Sequence, residues 1–286
     1  METNGSFTSL ALKMKMPNTT TPMPLPFDFE KLVNRDDVKD WLDHNWHQSF
    51  YWSALYLIVV FGCQYFMKNR PPFNLRYPLV LWNLGLAVFS ICGSIRMFPG
   101  FLHTIQEFGI HYSICHAKYP QMIQPTVFWG WLFIASKVLE LGDTLFVVLR
   151  KQKLIFLHWY HHIMTLIFCW YNSAREVSLG HWFITMNYFV HSFMYTYFAF
   201  RAMRIQVPRY IAMIITTLQI IQMIFGVSIT VWAYKTVSRG IDCETPENTL
   251  ELAFLVYLSY ALLFCHLFYQ SYIIPIWNNK NEKKLK

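Results

Sequence analysis

Leu157-His158-Trp159-Tyr160-His161-His162-Ile163-Met164-Thr165-Leu166-Ile167-Phe168-Cys169 is the stretch on which the chain turns. His158, His161 and His162 stand at i, i+3 and i+4, so on a helix the three imidazoles share one face. The residues around them, Ile155, Phe156, Leu157, Ile163, Leu166, Ile167 and Phe168, are apolar enough to sit in a bilayer. A single packed histidine is ordinary helix–helix glue. Three on one turn are costly to bury, and ionisable groups inside a membrane mark function by default.

Composition sets the class around that stretch. The chain has 286 residues, of which 55% are hydrophobic, 19% aromatic and only 14% charged. Its apolar residues come in blocks long enough to cross hydrocarbon, which a soluble domain of this size does not need. The expectation is an all-α polytopic membrane protein with one integral domain.

Seven spans are predicted, at 49–67, 79–99, 126–148, 155–173, 180–200, 210–234 and 252–277. Each is about long enough for a ~30 Å core at 1.5 Å per residue. Pro71, Pro72, Pro120, Pro125, Pro208 and Pro246 fall between them, where a helix break costs least. The segment 100–118 is semi-polar and reads as a lumenal loop or surface helix. Residues 1–48 form a polar N-terminal region, with a Thr/Pro-rich stretch at Thr19–Pro26 expected to be disordered or extended. It has no apolar core of the kind a cleavable signal peptide needs. Asp36–Trp46 is expected as a short amphipathic helix resting Val38, Trp41 and Leu42 on the membrane surface. Residues 278–286 make a basic tail.

The loop charges orient the spans. Lys68, Arg70 and Arg76 give +3 before the second span, and Arg150, Lys151 and Lys153 give +3 before the fourth. Arg201, Arg204 and Arg209 give +3 after the fifth, and Lys280, Lys283, Lys284 and Lys286 against Glu282 give +3 in the tail. In the alternate loops Lys118 balances Glu107, and Arg175 balances Glu176. Lys235 and Arg239 face Asp242, Glu244, Glu247 and Glu251, and the N-terminal region carries five bases against seven acids. Positive-inside alternation then predicts a lumenal N-terminus and a cytosolic C-terminus. The net charge of +8 reports topology and a cytosolic anionic ligand, not nucleic acid.

That topology sorts the other features. Cys63, Cys92, Cys169 and Cys265 lie in spans, whereas Cys115 and Cys243 fall in loops on the lumenal side and are predicted to pair. Two sequons, at Asn4 and Asn18, suit a lumenal N-terminus, although such triplets arise by chance. Lys283 and Lys284 stand fourth and third from the carboxyl end, which resembles a cytosolic dilysine retrieval signal; a solvated charged tail is the plainer reading.

Further polar residues lie inside the predicted spans. Lys137, Glu140 and Thr144 share a face of the third, with Asp143 beside them, and a lysine and a carboxylate three apart can pair. Asn187, His191, Met194 and Tyr195 form a stripe on the fifth. Thr216, Gln219 and Gln222 follow at i+3 on the sixth. Any one could be structural; stripes on four helices together suggest the lining of one polar channel that opens near the basic loops. Lys and Arg at that mouth suit the phosphates of a coenzyme A thioester, an aromatic apolar interior suits an acyl chain, and histidines at the junction can serve as base or nucleophile towards a thioester carbonyl.

Four of these stripes match one family in order. Lys137-Val138-Leu139-Glu140-Leu141-Gly142-Asp143-Thr144 fits KxxExxDT, and His158-Trp159-Tyr160-His161-His162 fits HxxHH. His191-Ser192-Phe193-Met194-Tyr195-Thr196-Tyr197-Phe198 fits HxxMYxYY except that Phe198 replaces the final tyrosine, and Thr216-Thr217-Leu218-Gln219-Ile220-Ile221-Gln222 fits TxxQxxQ. From about residue 50 to its end the chain therefore resembles the very-long-chain fatty acid elongases, the 3-oxoacyl-CoA synthases of the endoplasmic reticulum. The Trp159-Tyr160 pair inside the histidine box is most similar to the subgroup acting on saturated and monounsaturated chains.

The resemblance implies seven helices, six of them around an acyl tunnel, in the endoplasmic reticulum membrane. It implies condensation of a long-chain acyl-CoA with malonyl-CoA to a 3-oxoacyl-CoA two carbons longer, with loss of CoA and CO2. It also implies work beside the reductases and dehydratase of an elongation cycle. On this view His161 attacks the thioester and His191 assists, with His158 and His162 as supporting or base candidates. Lys137, Glu140, Asp143, Thr144, Asn187, Tyr195, Gln219 and Gln222 would line the substrate site. No metal or other cofactor is expected.

Two rivals come from other classes. HxxHH is also a ligand pattern of membrane di-iron desaturases and hydroxylases, which use about eight histidines in several boxes. The remaining eight here, His44, His47, His103, His111, His116, His181, His191 and His266, form no second such box. A non-enzymatic lipid carrier would use the same polar lining without clustered histidines.

Overall fold

The computed structural model describes residues 25–118 and 120–275. The two sequons, the end of the last predicted span and the basic tail lie outside them. Among the described residues the chain is helical and has no strand.

A 3-10 turn, Asp28–Leu32, leads to α1 (Arg35–Asn45). The side chain of Asn34 caps α1 by accepting from the Asp36 amide, and Asp36 and Asp37 sit in the first turn where the helix dipole favours acids. The amphipathic helix expected here exists, and it lies on protein. Leu42 is 2% exposed, and the Trp41 ring meets Trp131 and Trp170 edge-on.

There follow α2 (Gln48–Phe66), α3 (Arg76–Cys115), α4 (Gln124–Leu139), α5 (Gly142–Leu149), α6 (Phe156–Ala174), α7 (Gly180–Ala202), α8 (Arg209–Ser238) and α9 (Glu247–Phe268), the last running on through a π-turn, Tyr269–Ile273. Pro125, Pro208 and Pro246 stand at helix starts, where a missing N–H is harmless. Four helices, Gln48–Phe66, Arg76–Cys115, Arg209–Ser238 and Glu247–Ile273, are long and apolar enough to cross a membrane. The histidines of α6 and the polar stripe of α7 lower their mean hydropathy.

Two boundaries differ from the predicted ones. The semi-polar segment after residue 99, expected as a lumenal loop or a surface helix, is helical and continues α3, which runs through Pro99 and is interrupted at Gly109, whose φ of 80° belongs to the left-handed region. The third predicted span is two helices, because α4 ends at Leu139 and α5 starts at Gly142.

Packing closes a ring. α3 contacts α7, α7 contacts α8, α8 contacts α9, α9 contacts α6, α6 contacts α4, and α4 returns to α3. α2 stands outside the ring against α5 and α6, and α1 lies against α6. The α3–α7 contact is close because Gly93 has no Cβ; one built there would come 2.3 Å from the Tyr188 ring. The outward faces of α2 and α3 (Leu55, Ile58, Leu81, Val88, Ile95) are apolar and exposed, as a hydrocarbon surround requires.

The two ends of the ring are held differently. At one end Cys115 and Cys243 form a disulfide across 128 residues, and the Glu244 amide donates to the Cys115 carbonyl. Glu30, fully buried, accepts there from Arg96, from the Trp129 indole at 2.8 Å and from the Phe27 amide at 2.9 Å. At the other, basic end, Arg76 donates to the carbonyls of Ala202 and Met203, and Lys151 to those of Lys68 and Arg70. Part of the positive charge thus satisfies helix C-termini.

Candidate active site

The break between α4 and α5 positions the first group of polar side chains. Ser136 donates to the Phe133 carbonyl and bonds Glu140 Oε1 at 2.9 Å, while the Glu140 amide closes the last turn on Ser136. Lys137, 3% exposed, donates to Glu140 Oε1 at 2.7 Å and to Asn187 Oδ1 at 3.2 Å, and lies 3.9 Å over the Phe133 ring. A buried pair held this fully tolerates burial, whereas removing one partner typically costs about 3–5 kcal/mol.

The chain of bonds continues on α7. Asn187 turns its oxygen to Lys137, so its amide nitrogen donates to His191 Nε2 at 3.1 Å. Nε2 then acts as acceptor, which places the His191 hydrogen on Nδ1. Glu140, Lys137, Asn187 and His191 form one relay from a carboxylate to an imidazole.

The start of α5 serves two further groups. Asp143 accepts from the Trp82 indole and from the Tyr195 hydroxyl at 2.9 Å. Thr144, fully buried, pairs through Oγ1 with Tyr56 OH at 2.7 Å and His158 Nε2 at 3.0 Å. The His162 ring is 4.8 Å from that of His158 and 6.4 Å from that of Tyr56. Breaking the helix at Glu140–Leu141 separates these roles: Lys137 and Glu140 serve α7, Thr144 serves α2 and α6, and Asp143 joins α3 to α7.

His161 sits apart from the other two histidines in its surroundings. The Tyr260 ring of α9 packs 4.7 Å from its ring, and Phe264 approaches edge-on at 6.1 Å. Tyr260 OH bonds Thr165 at 2.9 Å and donates to the His161 carbonyl at 3.3 Å. The His161 Nδ1 atom is buried and has no hydrogen-bond partner. This is the arrangement of an imidazole fixed by packing.

The polar stripe on the sixth predicted span takes a lesser part. Gln219 donates to the Met194 sulfur at 3.3 Å, and Thr216 bonds the Ala212 carbonyl and reaches Tyr272 OH at 3.4 Å. Gln222 is buried and, among the described residues, makes no hydrogen bond. Phe198, the departure from the HxxMYxYY pattern, is 45% exposed; the missing hydroxyl is not a loss to the site. At the basic end Arg76 and Lys151 cap helices, while Lys153, Arg201 and Arg204 are exposed and, among the described residues, make no ion pair.

Tyr56, Trp82, Ser136 and Tyr260 carry part of this network and were not among the sequence candidates. Tyr56 had a readable signal, since Ser49, Ser53, Tyr56 and Val60 are the buried residues of α2 and follow one helical stripe. Tyr260 had none, because it stands in an aromatic-rich run with no polar periodicity.

The model of the family described as "ELO: GNS1/SUR4 family" matches residues 41–284. The chain is 45% identical over 250 residues to very long chain fatty acid elongase 6 of Drosophila melanogaster, covering 87% of this chain and 79% of that protein. It is 45% identical over 247 residues to the protein of the same name from Gallus gallus, covering 86% and 92%. With the Homo sapiens protein it shares 43% over 246 residues, again covering 86% and 92%.

Proposed function

The chain belongs to the GNS1/SUR4 family and is a condensing enzyme of fatty acid elongation, and we propose that it joins a long-chain acyl-CoA to malonyl-CoA through an acyl-histidine at His161. The observation that carries this reading is a packed imidazole on α6 whose buried Nδ1 has no hydrogen-bond partner, beside a relay on α4 and α7 in which Lys137 and Asn187 hold a second imidazole.

In the first half-reaction a nitrogen of His161 attacks the thioester carbonyl. An N–C bond forms, the C–S bond breaks, and CoA leaves as a thiolate that takes up a proton. In the second, malonyl-CoA loses CO2 by C–C cleavage and the resulting enolate carbon attacks the acyl carbon. The new C–C bond gives the 3-oxoacyl-CoA, the N–C bond breaks and the His161 imidazole is restored. His191 is placed to exchange a proton with the reacting groups through Nδ1 or to steady the enolate oxygen. His158, anchored to Thr144, and His162 hold the helix turn that carries the nucleophile.

The proposal includes seven spans: α2, α3, α4 with α5, α6, α7, α8 and α9. The basic loops would face the cytosol and the disulfide the lumen of the endoplasmic reticulum, in keeping with the positive-inside rule and with an oxidising compartment. The reductases and dehydratase of the cycle would act on the product.

No metal takes part in the proposed steps. Among the described residues no three His, Cys, Asp or Glu side chains are grouped as ligands would be. The test is turnover by purified protein supplied with a panel of acyl-CoAs and malonyl-CoA, with metal content measured on the same sample. A 3-oxoacyl-CoA product from metal-free protein, absent in His161→Ala, is expected, together with a mass increase of one acyl group on the peptide carrying His161 when malonyl-CoA is withheld. Full turnover in His161→Ala removes the nucleophile assignment. No product with about two irons per chain revives the oxygenase, and no product without metal favours the carrier.

A further inference from the structure

α2 stands outside the ring, yet one of its side chains is tied to the histidine helix. Tyr56 is 5% exposed, and its hydroxyl meets Thr144 Oγ1 of α5 at 2.7 Å. Thr144 is fully buried and through the same oxygen meets His158 Nε2 of α6 at 3.0 Å. Among the described residues Tyr56 OH, Thr144 Oγ1 and His158 Nε2 have no other hydrogen-bond partner. Three helices are joined by this line of two hydrogen bonds.

Counting hydrogens gives the line one direction. Each hydroxyl brings one hydrogen, and a neutral imidazole brings one more on either of its nitrogens. If Tyr56 donates to Thr144 and Thr144 donates to His158 Nε2, both hydroxyl hydrogens have acceptors and the imidazole hydrogen sits on Nδ1. If Nε2 carried the hydrogen instead, it would donate to Thr144. Either the phenol or the threonine hydrogen would then be buried without an acceptor, which native interiors avoid. Tyr56 decides the matter because it ends the line and has no second group to donate to. His158 Nδ1 makes no hydrogen bond among the described residues and, unlike His161 Nδ1, is not enclosed by packing.

We propose that Tyr56 is a positioning residue for the condensation: through Thr144 it holds His158 as the neutral Nδ1–H tautomer, which leaves Nδ1–H to donate within the active site and no ring nitrogen free to act as base. The inference rests on the condensing site described above. It removes His158 from the candidates for the base and gives the helix outside the ring a part in the chemistry.

Tyr56→Phe keeps the aromatic ring and removes the hydroxyl that sets the direction. Nitrogen-15 histidine spectra of the full chain in phosphatidylcholine nanodiscs read the tautomer, with the His158 signals identified by their loss in His158→Asn. The wild type is expected to carry the hydrogen on Nδ1, and Tyr56→Phe to show a mixture of tautomers. Its kcat should fall about tenfold, the worth of one lost hydrogen bond, with KM for acyl-CoA changed less than about threefold. Thr144→Val cuts the line at its centre, so adding Tyr56→Phe to it should cost nothing further. A packing role for Tyr56 would instead give the same loss in both backgrounds. A hydrogen on Nε2 in the wild type overturns the proposal, as do a tautomer or a kcat that Tyr56→Phe leaves unchanged, and additive losses in the double variant. The spectrum is recorded without turnover, so failure here is told apart from failure of the His161 assignment, which full turnover in His161→Ala would show.

Discussion

Asn187 donates its amide N–H to His191 Nε2 at 3.1 Å while accepting from Lys137 through its oxygen at 3.2 Å. The amide therefore fixes both the orientation and the tautomer of His191, a task that neither an aliphatic nor a carboxylate side chain performs in the same way. Asn187→Ala is expected to lower kcat about 10²-fold, the lower range of general acid–base effects, with KM for acyl-CoA changed less than about threefold. Steady-state kinetics that separate the two parameters check it. A fall confined to KM would make Asn187 a substrate ligand instead.

Tyr260 provides a second test of positioning. Its ring packs on His161 and its hydroxyl holds Thr165 and the His161 carbonyl. Tyr260→Phe keeps the ring and loses bonds worth about 1 kcal/mol each, so turnover is expected to drop less than about tenfold. Tyr260→Leu removes the aromatic face as well, and its turnover should drop at least tenfold further. The yield of acylated enzyme, measured by intact mass without malonyl-CoA, should follow the same order.

The contrast between these two residues shows what the sequence carries. Asn187 was legible because it belongs to a polar stripe in an apolar helix, and such a stripe is costly enough to be informative. Tyr260 acts through packing and one hydroxyl, which leaves no trace in periodicity. The apolar blocks behind the ring were equally legible, since bilayer thickness dictates their length. The stop at Leu139 was not, because Ser136 and Glu140 cap that turn through side-chain contacts that hydropathy does not see. Nor was the placement of α1, whose Leu42 is buried in a core cluster with Ile134, Leu166 and Trp170 of other helices.

Glu30 makes the disulfide end sensitive to acid. Burial alone would raise its carboxyl pKa, but the Arg96 guanidinium, the Phe27 amide and the Trp129 indole outweigh that and hold it below the usual carboxylate value. A folded-state pKa below the unfolded one means that stabilisation is present above the unfolded value of ~4.3 and is lost as pH falls through the folded one. The transition temperature of the wild type should therefore hold from pH 7 to about 5 and decline below that. Glu30→Gln should lower it by several degrees at pH 7 and flatten the acid limb. Thermal unfolding in detergent across that pH range reads both effects, and parallel curves for the two proteins would remove Glu30 as the cause.

Gly93 and Tyr188 set how closely α3 and α7 approach. A methyl group at residue 93 would lie 2.3 Å from the Tyr188 ring, and that ring has little freedom to move. Its hydroxyl donates to the Trp129 carbonyl at 2.9 Å, and Phe89 and Phe133 meet it edge-on. Overpacking of this kind costs about 1–3 kcal/mol, so Gly93→Ala should be destabilised by that amount. In a Tyr188→Leu background, where the ring is gone, the same substitution should cost less than about 0.5 kcal/mol. The difference is the coupling energy of a double-mutant cycle, obtained from equilibrium unfolding of four proteins. Equal costs in both backgrounds would mean that the Tyr188 ring is not what the added methyl group strains against. The contact would then be a consequence of the ring rather than one of the constraints that close it. A cost that disappears with the tyrosine makes the Gly93–Tyr188 contact a determinant of the spacing at which α7 presents Asn187 and His191, one residue before and three residues after that tyrosine, to Lys137.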